Sequence, residues 1–205
     1  MQKKGYTQKL RERVAKASDG ALFVMLDFAD IAPNNAANRI VMRLVDEGLL
    51  RPVIRGVYQK PKINKFLGEC EEPSPDAVAH ALARKNGWTI SPTGDTALNL
   101  LGLSTQVPAN WCYLSNGPYK TYGYGAGEIR FMHTANRMIQ NLSDDSALIV
   151  QALHALGAPN MDETVTARLS AMFSAERWAK IKTETRNVPD WIHTAIVKIK
   201  EAANA

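Results

Sequence analysis

Residues 27–61 carry the pattern that most restricts the fold: a short helix-forming run, a proline, a longer amphipathic helix, a glycine stop and two β-prone runs. Asp27 is a suitable N-cap for a short helix over Phe28-Ala29-Asp30-Ile31-Ala32. Pro33 ends that helix, because proline has no N–H to give and crowds the preceding turn. A new helix opens at Asn34 or Asn35 and runs to Glu47, with Ala37, Ile40, Val41, Leu44 and Val45 on one side and Gly48 as its stop. Short helix, tight turn, longer helix is the order of a helix-turn-helix. Residues 49–61 then supply two brief β-prone runs turning at or near Arg55-Gly56, which predicts a hairpin wing directly after the second helix.

Charge agrees with that assignment. Residues 1–65 hold 13 Lys/Arg against 6 Asp/Glu, a net of +7, whereas residues 66–205 hold 12 against 14, a net of −2. A local cationic excess is what phosphate contacts require, since each neutralised phosphate releases condensed counterions. A solvated basic surface without a partner is the alternative that charge alone leaves open. Within the longer helix, Asn34, Asn35, Asn38, Arg39 and Arg43 are candidate DNA contacts, with Asn35, Asn38 and Arg39 as base readers, because Asn matches adenine and Arg matches guanine bidentately. Arg43 reads equally as a phosphate contact or a structural ion pair. Arg51, Arg55, Lys60 and Lys62 of the wing are placed to reach phosphates. Tyr58 and Phe28 read as core residues.

Ahead of the motif, residues 7–17 place Leu10, Val14 and Ala17 at helical spacing with Thr7 as the expected N-cap. The exposed side of this helix holds Arg11, Arg13 and Lys16, and Lys3, Lys4 and Lys9 suggest a loose basic arm. The apolar stretch 21–26 fits either a short strand or the approach to the next helix. The acidic, proline-bearing run Glu69-Cys70-Glu71-Glu72-Pro73-Ser74-Pro75 predicts a domain boundary, giving a DNA-binding domain over 1–68 and a second domain over 74–205. The expected fold class is therefore α+β: a winged helix-turn-helix followed by a mixed α/β domain ending in helices. In the second domain, helices are expected over 75–86, 95–101, 146–156, 162–173, 175–183 and after Pro189, with strands at 88–90, 111–114, 120–124 and 128–133.

Two features there admit a functional reading. Gly94 opens a helix and suggests either an anion site or a structural turn, and no phosphate-binding glycine motif surrounds it. Tyr119-Lys120-Thr121-Tyr122-Gly123-Tyr124 interleaves aromatics with a cation, as binding surfaces do, though half-buried strand residues give the same pattern. Asp144-Asp145 and Asp162-Glu163 are expected as helix N-terminal caps and dipole partners.

Asp27-Phe28-Ala29-Asp30-Ile31, Asn38-Arg39, Met42-Arg43-Leu44 with Gly48, and Arg55-Gly56-Val57-Tyr58 with Pro61 resemble the winged-helix domain of AbiEi-type antitoxins of type IV toxin-antitoxin (abortive infection) systems. The run from Ser91-Pro92-Thr93-Gly94-Asp95 to Gln106-Val107-Pro108, with Leu114-Ser115-Asn116-Gly117, resembles the opening of that family's C-terminal domain. The resemblance spans most of residues 20–135. It implies a DNA-binding antitoxin and autorepressor: an N-terminal domain acting on double-stranded DNA of its own promoter, and a C-terminal domain counteracting a nucleotidyltransferase-like toxin, with no stable complex implied.

Other chemistry finds little support. The sequence has no G-x-S-x-G or H-E-x-x-H, the two cysteines are far apart, and the four histidines are scattered, so no catalytic site, metal or cofactor is expected and the chain is read as a non-enzyme. The absence of a long apolar run or signal-like N-terminus predicts a cytoplasmic protein without membrane contact. Two rival functions stand beside the antitoxin: a transcriptional regulator whose C-terminal domain senses a ligand or dimerises, and a nucleic-acid-modifying enzyme delivered by the winged helix.

Overall fold

The structure, a computed structural model, describes residues 5–134 and 142–204. The chain is mixed α+β, with eight α-helices and two sheets among the described residues, and it divides after Trp88 into two compact units.

The first unit opens with α1 (Tyr6–Lys16), which buries Leu10 and Val14. Thr7 is not its cap: Gly5 stands at the N-cap, no side chain bonds there, and Thr7 lies inside the first turn. The apolar stretch after Gly20 becomes a two-residue strand, β1 (Leu22–Phe23), followed by a 3-10 turn (Met25–Phe28). The short helix expected over 28–32 is not formed: the 3-10 turn ends at Phe28, and residues 29–32 continue as hydrogen-bonded turns, with Ile31 and Ala32 N–H donating to the Phe28 carbonyl. Asp27 does not cap a helix starting at Phe28; it sits within the turn and its carboxylate accepts from Val24 N–H at 2.8 Å. Pro33 then caps α2 (Asn34–Asp46), and the chain leaves through Gly48 at φ +73°. β2 (Arg51–Ile54) and β3 (Val57–Gln59) follow as an antiparallel hairpin, and β1 pairs with β3, so the sheet order is β1-β3-β2. Pro52 is tolerated because β2 is an edge strand, where a missing N–H breaks no ladder bond. The register shifts between Pro52 and Ile54, a bulge next to the turn.

This unit's core is the apolar side of α2 (Ala37, Ile40, Val41, Leu44) against Leu10, Val14, Phe23, Phe28, Ala32 and Leu50. Phe23 and Phe28 stack with centroids 5.6 Å apart, and Tyr58 packs against the same cluster. The Pro73-Ser74-Pro75 segment starts another helix of this unit instead of closing it. Ser74 Oγ accepts from Ala77 N–H at 3.2 Å and Pro75 takes the first helical position, opening α3 (Pro75–Asn86). α3 buries Val78, Ala79, Ala81 and Leu82 and packs on β1, β3 and the 3-10 turn, while Arg84 donates to Leu22 C=O at 3.1 Å.

The second unit holds β4 (Ile90–Pro92), α4 (Asp95–Leu100), β5 (Asn110–Ser115), β6 (Lys120–Tyr124) and β7 (Gly127–His133). The sheet order is β4-β5-β7-β6, with β5 and β7 parallel and the outer pairs antiparallel. The strand expected at 88–90 lies two residues later, where Ser91 pairs with Leu114. At Gly127 a Cβ would stand 2.1 Å from the Ala109 carbonyl oxygen, so only glycine fits where β7 begins. Four helices complete the unit: α5 (Asp144–Leu156), α6 (Glu163–Ser170), α7 (Ala175–Glu184) and α8 (Asp190–Ala202). Their core joins Ile149, Leu153, Leu169, Trp178, Ile181, Ile192, Ile196 and Ile199 to Ala97 and Leu101 of the α4 region.

Side chains cap α6 and α7, through Asp162 and Ser174, whereas Gly94 and Pro189 precede α4 and α8 without a side-chain cap bond. Asp162 caps α6 as expected, accepting from Val165 N–H at 2.8 Å. Asp144 and Asp145 are not caps: Ser143 holds that position, both lie in the first turn of α5, and Asp145 forms a bidentate pair with Arg177 at 2.6–2.9 Å. The α5 N-terminus instead receives Glu184, whose Oε2 accepts from Ser143 N–H at 2.9 Å and from the Ser143 and Ser146 hydroxyls at 2.6 Å each. Burial alone would raise this carboxyl, but the bonds from Ser143 and Ser146 outweigh it and hold it at about 2, below its usual 4.5. The stability it supplies is therefore complete above about pH 5 and is lost as pH falls through about 2. We expect Glu184→Gln to cost roughly 2 kcal/mol at neutral pH and to leave the difference from wild type shrinking between pH 5 and 2, read by urea melts.

Among the described residues, no helix is long and apolar enough to cross a membrane.

Candidate nucleic-acid interface

α2 buries one side and leaves the other bare. Ala37, Ile40, Val41 and Leu44 point into the core, which turns Asn35, Asn38, Arg39, Met42 and Arg43 outward at helical spacing, with Asn34 exposed at the N-terminal end. No hydrogen bond or ion pair engages the side chains of Asn34, Asn35, Asn38, Arg39 or Arg43 among the described residues, so Arg43 anchors nothing through its charge there. No acidic residue lies in the first turn of α2, leaving its positive dipole end uncompensated. β3 meets this surface through Tyr58, whose Oη lies 4.0 Å from Met42 Sδ, which brings the hairpin alongside the amide and guanidinium groups of α2.

The cations of the hairpin divide into two sets. Arg55 stands exposed at the turn and its guanidinium has no partner among the described residues. Arg51 and Lys60 are engaged inside the unit. Arg51 Nε donates to the buried Gln59 side chain at 2.6 Å, Nη1 to Glu72 at 2.7 Å and Nη2 to the Glu71 carbonyl at 3.1 Å, tying β2 to the segment before α3. The bond from Arg51 lowers the pKa of Glu72. Lys60 Nζ donates to the Ala17 and Ala15 carbonyls at 2.7 and 3.2 Å and pairs with Asp19 at 3.0 Å, closing the C-terminal end of α1. Lys62 pairs with Glu71 at 2.6 Å. On α1, Arg11 holds Glu47, just past α2, at 2.7 Å and Arg13 holds Asp30, in the turn before α2, at 2.6 Å, so both cations are engaged within the unit. The basic excess of the sequence is thus partly internal wiring; Arg39, Arg43 and Arg55 stay exposed without a partner among the described residues, and so do Lys9, Lys16 and Lys65. Lys3 and Lys4 lie outside the described residues.

One contact from beyond the hairpin enters this surface. Lys85 Nζ, near the end of α3, donates to the Arg55 carbonyl at 2.5 Å. The acidic, proline-bearing composition of residues 69–75 places α3 in the second domain by sequence, so Lys85 carries no signal there; its contact with the hairpin comes from packing of α3 on β1 and β3.

A division between wiring and surface has a measurable consequence. We expect Lys60→Met and Arg51→Met each to lower stability by about 1–2 kcal/mol, because carbonyls and a buried amide lose their donor, while leaving unchanged the salt dependence of any nucleic-acid binding the chain shows. A drop in salt dependence in either variant would return that cation to the interface.

Open cavities in the second unit, among the described residues, include the following pair. One, of about 900 Å³, lies between α6 and α8 and is lined by Met161, Thr166, Trp191 and Lys198 among others. The other, of about 530 Å³, is bordered by Gly94, Asp95, Cys112 and Arg130. Gly94 there adopts φ +57°, ψ −137°, a conformation that itself asks for glycine, and nothing lies within 4 Å of where its Cβ would be. Burial raises the Cys112 thiol pKa, which does not favour a reactive thiolate. Among the described residues no cluster of three or more His, Cys, Asp or Glu side chains is arranged to hold a metal ion.

No curated protein matches this sequence. The model of a family of unknown function, DUF6088, matches residues 9–181, from within α1 to within α7. With most of its length matched, the chain belongs to the DUF6088 family.

Proposed function

We propose that the first unit is a winged helix-turn-helix that binds double-stranded DNA, with α2 as the recognition helix and the β2–β3 hairpin as the wing. The observation that carries this reading is the exposed side of α2, where Asn35, Asn38, Arg39 and Arg43 are held outward by a well-packed core and have no protein partner among the described residues. Amide and guanidinium groups in that setting match base edges, and the exposed Arg55 of the wing suits the phosphate backbone. Helix order and the β1-β3-β2 sheet support the same motif.

Together with the resemblance to AbiEi-type antitoxins, this supports a fuller proposal. The chain represses its own promoter through the first unit and counteracts a nucleotidyltransferase-like toxin through the second, without catalysis of its own, in the cytoplasm. The test is twofold: expression of the chain lowers output from a reporter fused to its own upstream DNA, and co-expression restores growth to cells making a nucleotidyltransferase-like toxin taken from the same gene neighbourhood, where one is encoded. Repression without rescue would leave a transcriptional regulator, for which the cavities of the second unit offer ligand sites. Neither effect would refute both halves.

A further inference from the structure

We propose that Lys85 of α3 joins Arg55 of the wing in a two-cation seat for the DNA backbone, so that the interface extends past the hairpin to a helix that the winged-helix motif does not include. This inference rests on the DNA-binding reading above and deepens it.

The seat is built by three residues. Gly56 turns the hairpin at φ +80°, and a Cβ there would come within 2.9 Å of Lys85 Cε and Nζ, so the absent side chain leaves the space that the lysine crosses. Lys85 spends one of its three protons on the Arg55 carbonyl at 2.5 Å, which fixes the ammonium at the tip of the wing with two donors left over. Arg55 carries its own guanidinium from the same backbone position, exposed and without a carboxylate partner among the described residues. Lys85 has no ion pair among them either.

Two cations gathered on one turn with no anion between them repel, and the ammonium bears the result: burial first, and then the Arg55 charge, lower the Lys85 pKa. Elsewhere in this unit cations in contact with backbone carbonyls also meet a carboxylate, as Lys60 meets Asp19 and Arg13 meets Asp30. At the wing tip the counter-charge is missing from the protein. A strand of phosphates supplies it, and supplies it where the hairpin lies beside the outward groups of α2. α3 is held for this role, packed on β1 and β3 and stitched to Leu22 by Arg84.

The experiment is a salt titration of full-chain binding to a duplex of its own upstream DNA, followed by fluorescence anisotropy. Lys85→Gln and Arg55→Gln each lower the slope of log affinity against log salt by about one, the double variant lowers it by about two, and Lys85→Arg keeps the wild-type slope. The loss in Lys85→Gln is the same fold on a scrambled duplex, because a phosphate contact carries no sequence. An unchanged slope in Lys85→Gln overturns the proposal, and so does a double variant no weaker in slope than Arg55→Gln, which would make Lys85 only a brace for the turn. The outcomes separate the two readings: a wild type that binds in an Arg39-dependent way with no Lys85 effect removes this inference alone, whereas a wild type that does not bind removes the DNA reading with it.

Discussion

On the DNA-binding proposal, Arg39→Ala is expected to weaken binding to the chain's own upstream DNA by about 1–3 kcal/mol and to leave binding to unrelated DNA much less affected. The guanidinium sits on the outward side of α2, one turn from Asn35 and beside Asn38, and takes part in no contact that the fold needs. Its removal therefore leaves the core of Leu10, Phe28, Val41 and Leu44 intact and the thermal transition of the unit unmoved. Loss confined to the specific duplex separates base reading from phosphate contact, since a backbone contact would weaken both duplexes alike. Equal loss on both would place Arg39 on phosphate; wild-type affinity on both would mean that α2 is not the helix that meets DNA.

Trp178→Ala is expected to lower stability more than any other substitution proposed here. Trp178 is fully buried, packs edge to face on Phe173 at 5.6 Å, and donates its indole N–H to the Ser170 carbonyl at 3.3 Å. Truncation leaves a cavity among Leu169, Ile181 and Ile192 and an orphaned carbonyl, a combined cost of about 3–5 kcal/mol. Denaturant melts measure it. DNA binding persists in this variant, because every proposed contact lies before Trp88; binding lost while the first unit stays folded would show that the interface depends on the second.

The sequence revealed some elements and concealed others for identifiable reasons. α2 was legible because its apolar residues recur at the helical period and both ends are marked, by Pro33 and by Gly48 at positive φ. The hairpin turn was legible in Arg55-Gly56 for the same kind of reason. Side-chain partners were not, because they come from far along the chain: Lys60 reaches carbonyls 43 and 45 residues away, and Arg51 reaches Glu72. A lysine on a predicted wing looks the same in sequence whether it caps a helix or faces phosphate. Asp27 misled similarly, since a good cap residue is equally able to bond back to a preceding N–H inside a 3-10 turn. Pro73-Ser74-Pro75 carries both linker composition and a helix start, and only packing of Val78 and Leu82 assigns α3 to the first unit. The α+β class was readable, because alternating short strands and helix caps fill residues 89–202. The mixed order β4-β5-β7-β6 was not, since strand pairing is long-range.

The central claim is that the outward side of α2 reads DNA, and the direct measurement is anisotropy of the purified chain with its own upstream duplex and a scrambled duplex across a salt series. The account predicts tighter binding to the upstream duplex, steep weakening with salt on both, and loss of the preference in Arg39→Ala. Equal, salt-insensitive or absent binding to the two duplexes would contradict it and leave α2 as a surface for a protein partner.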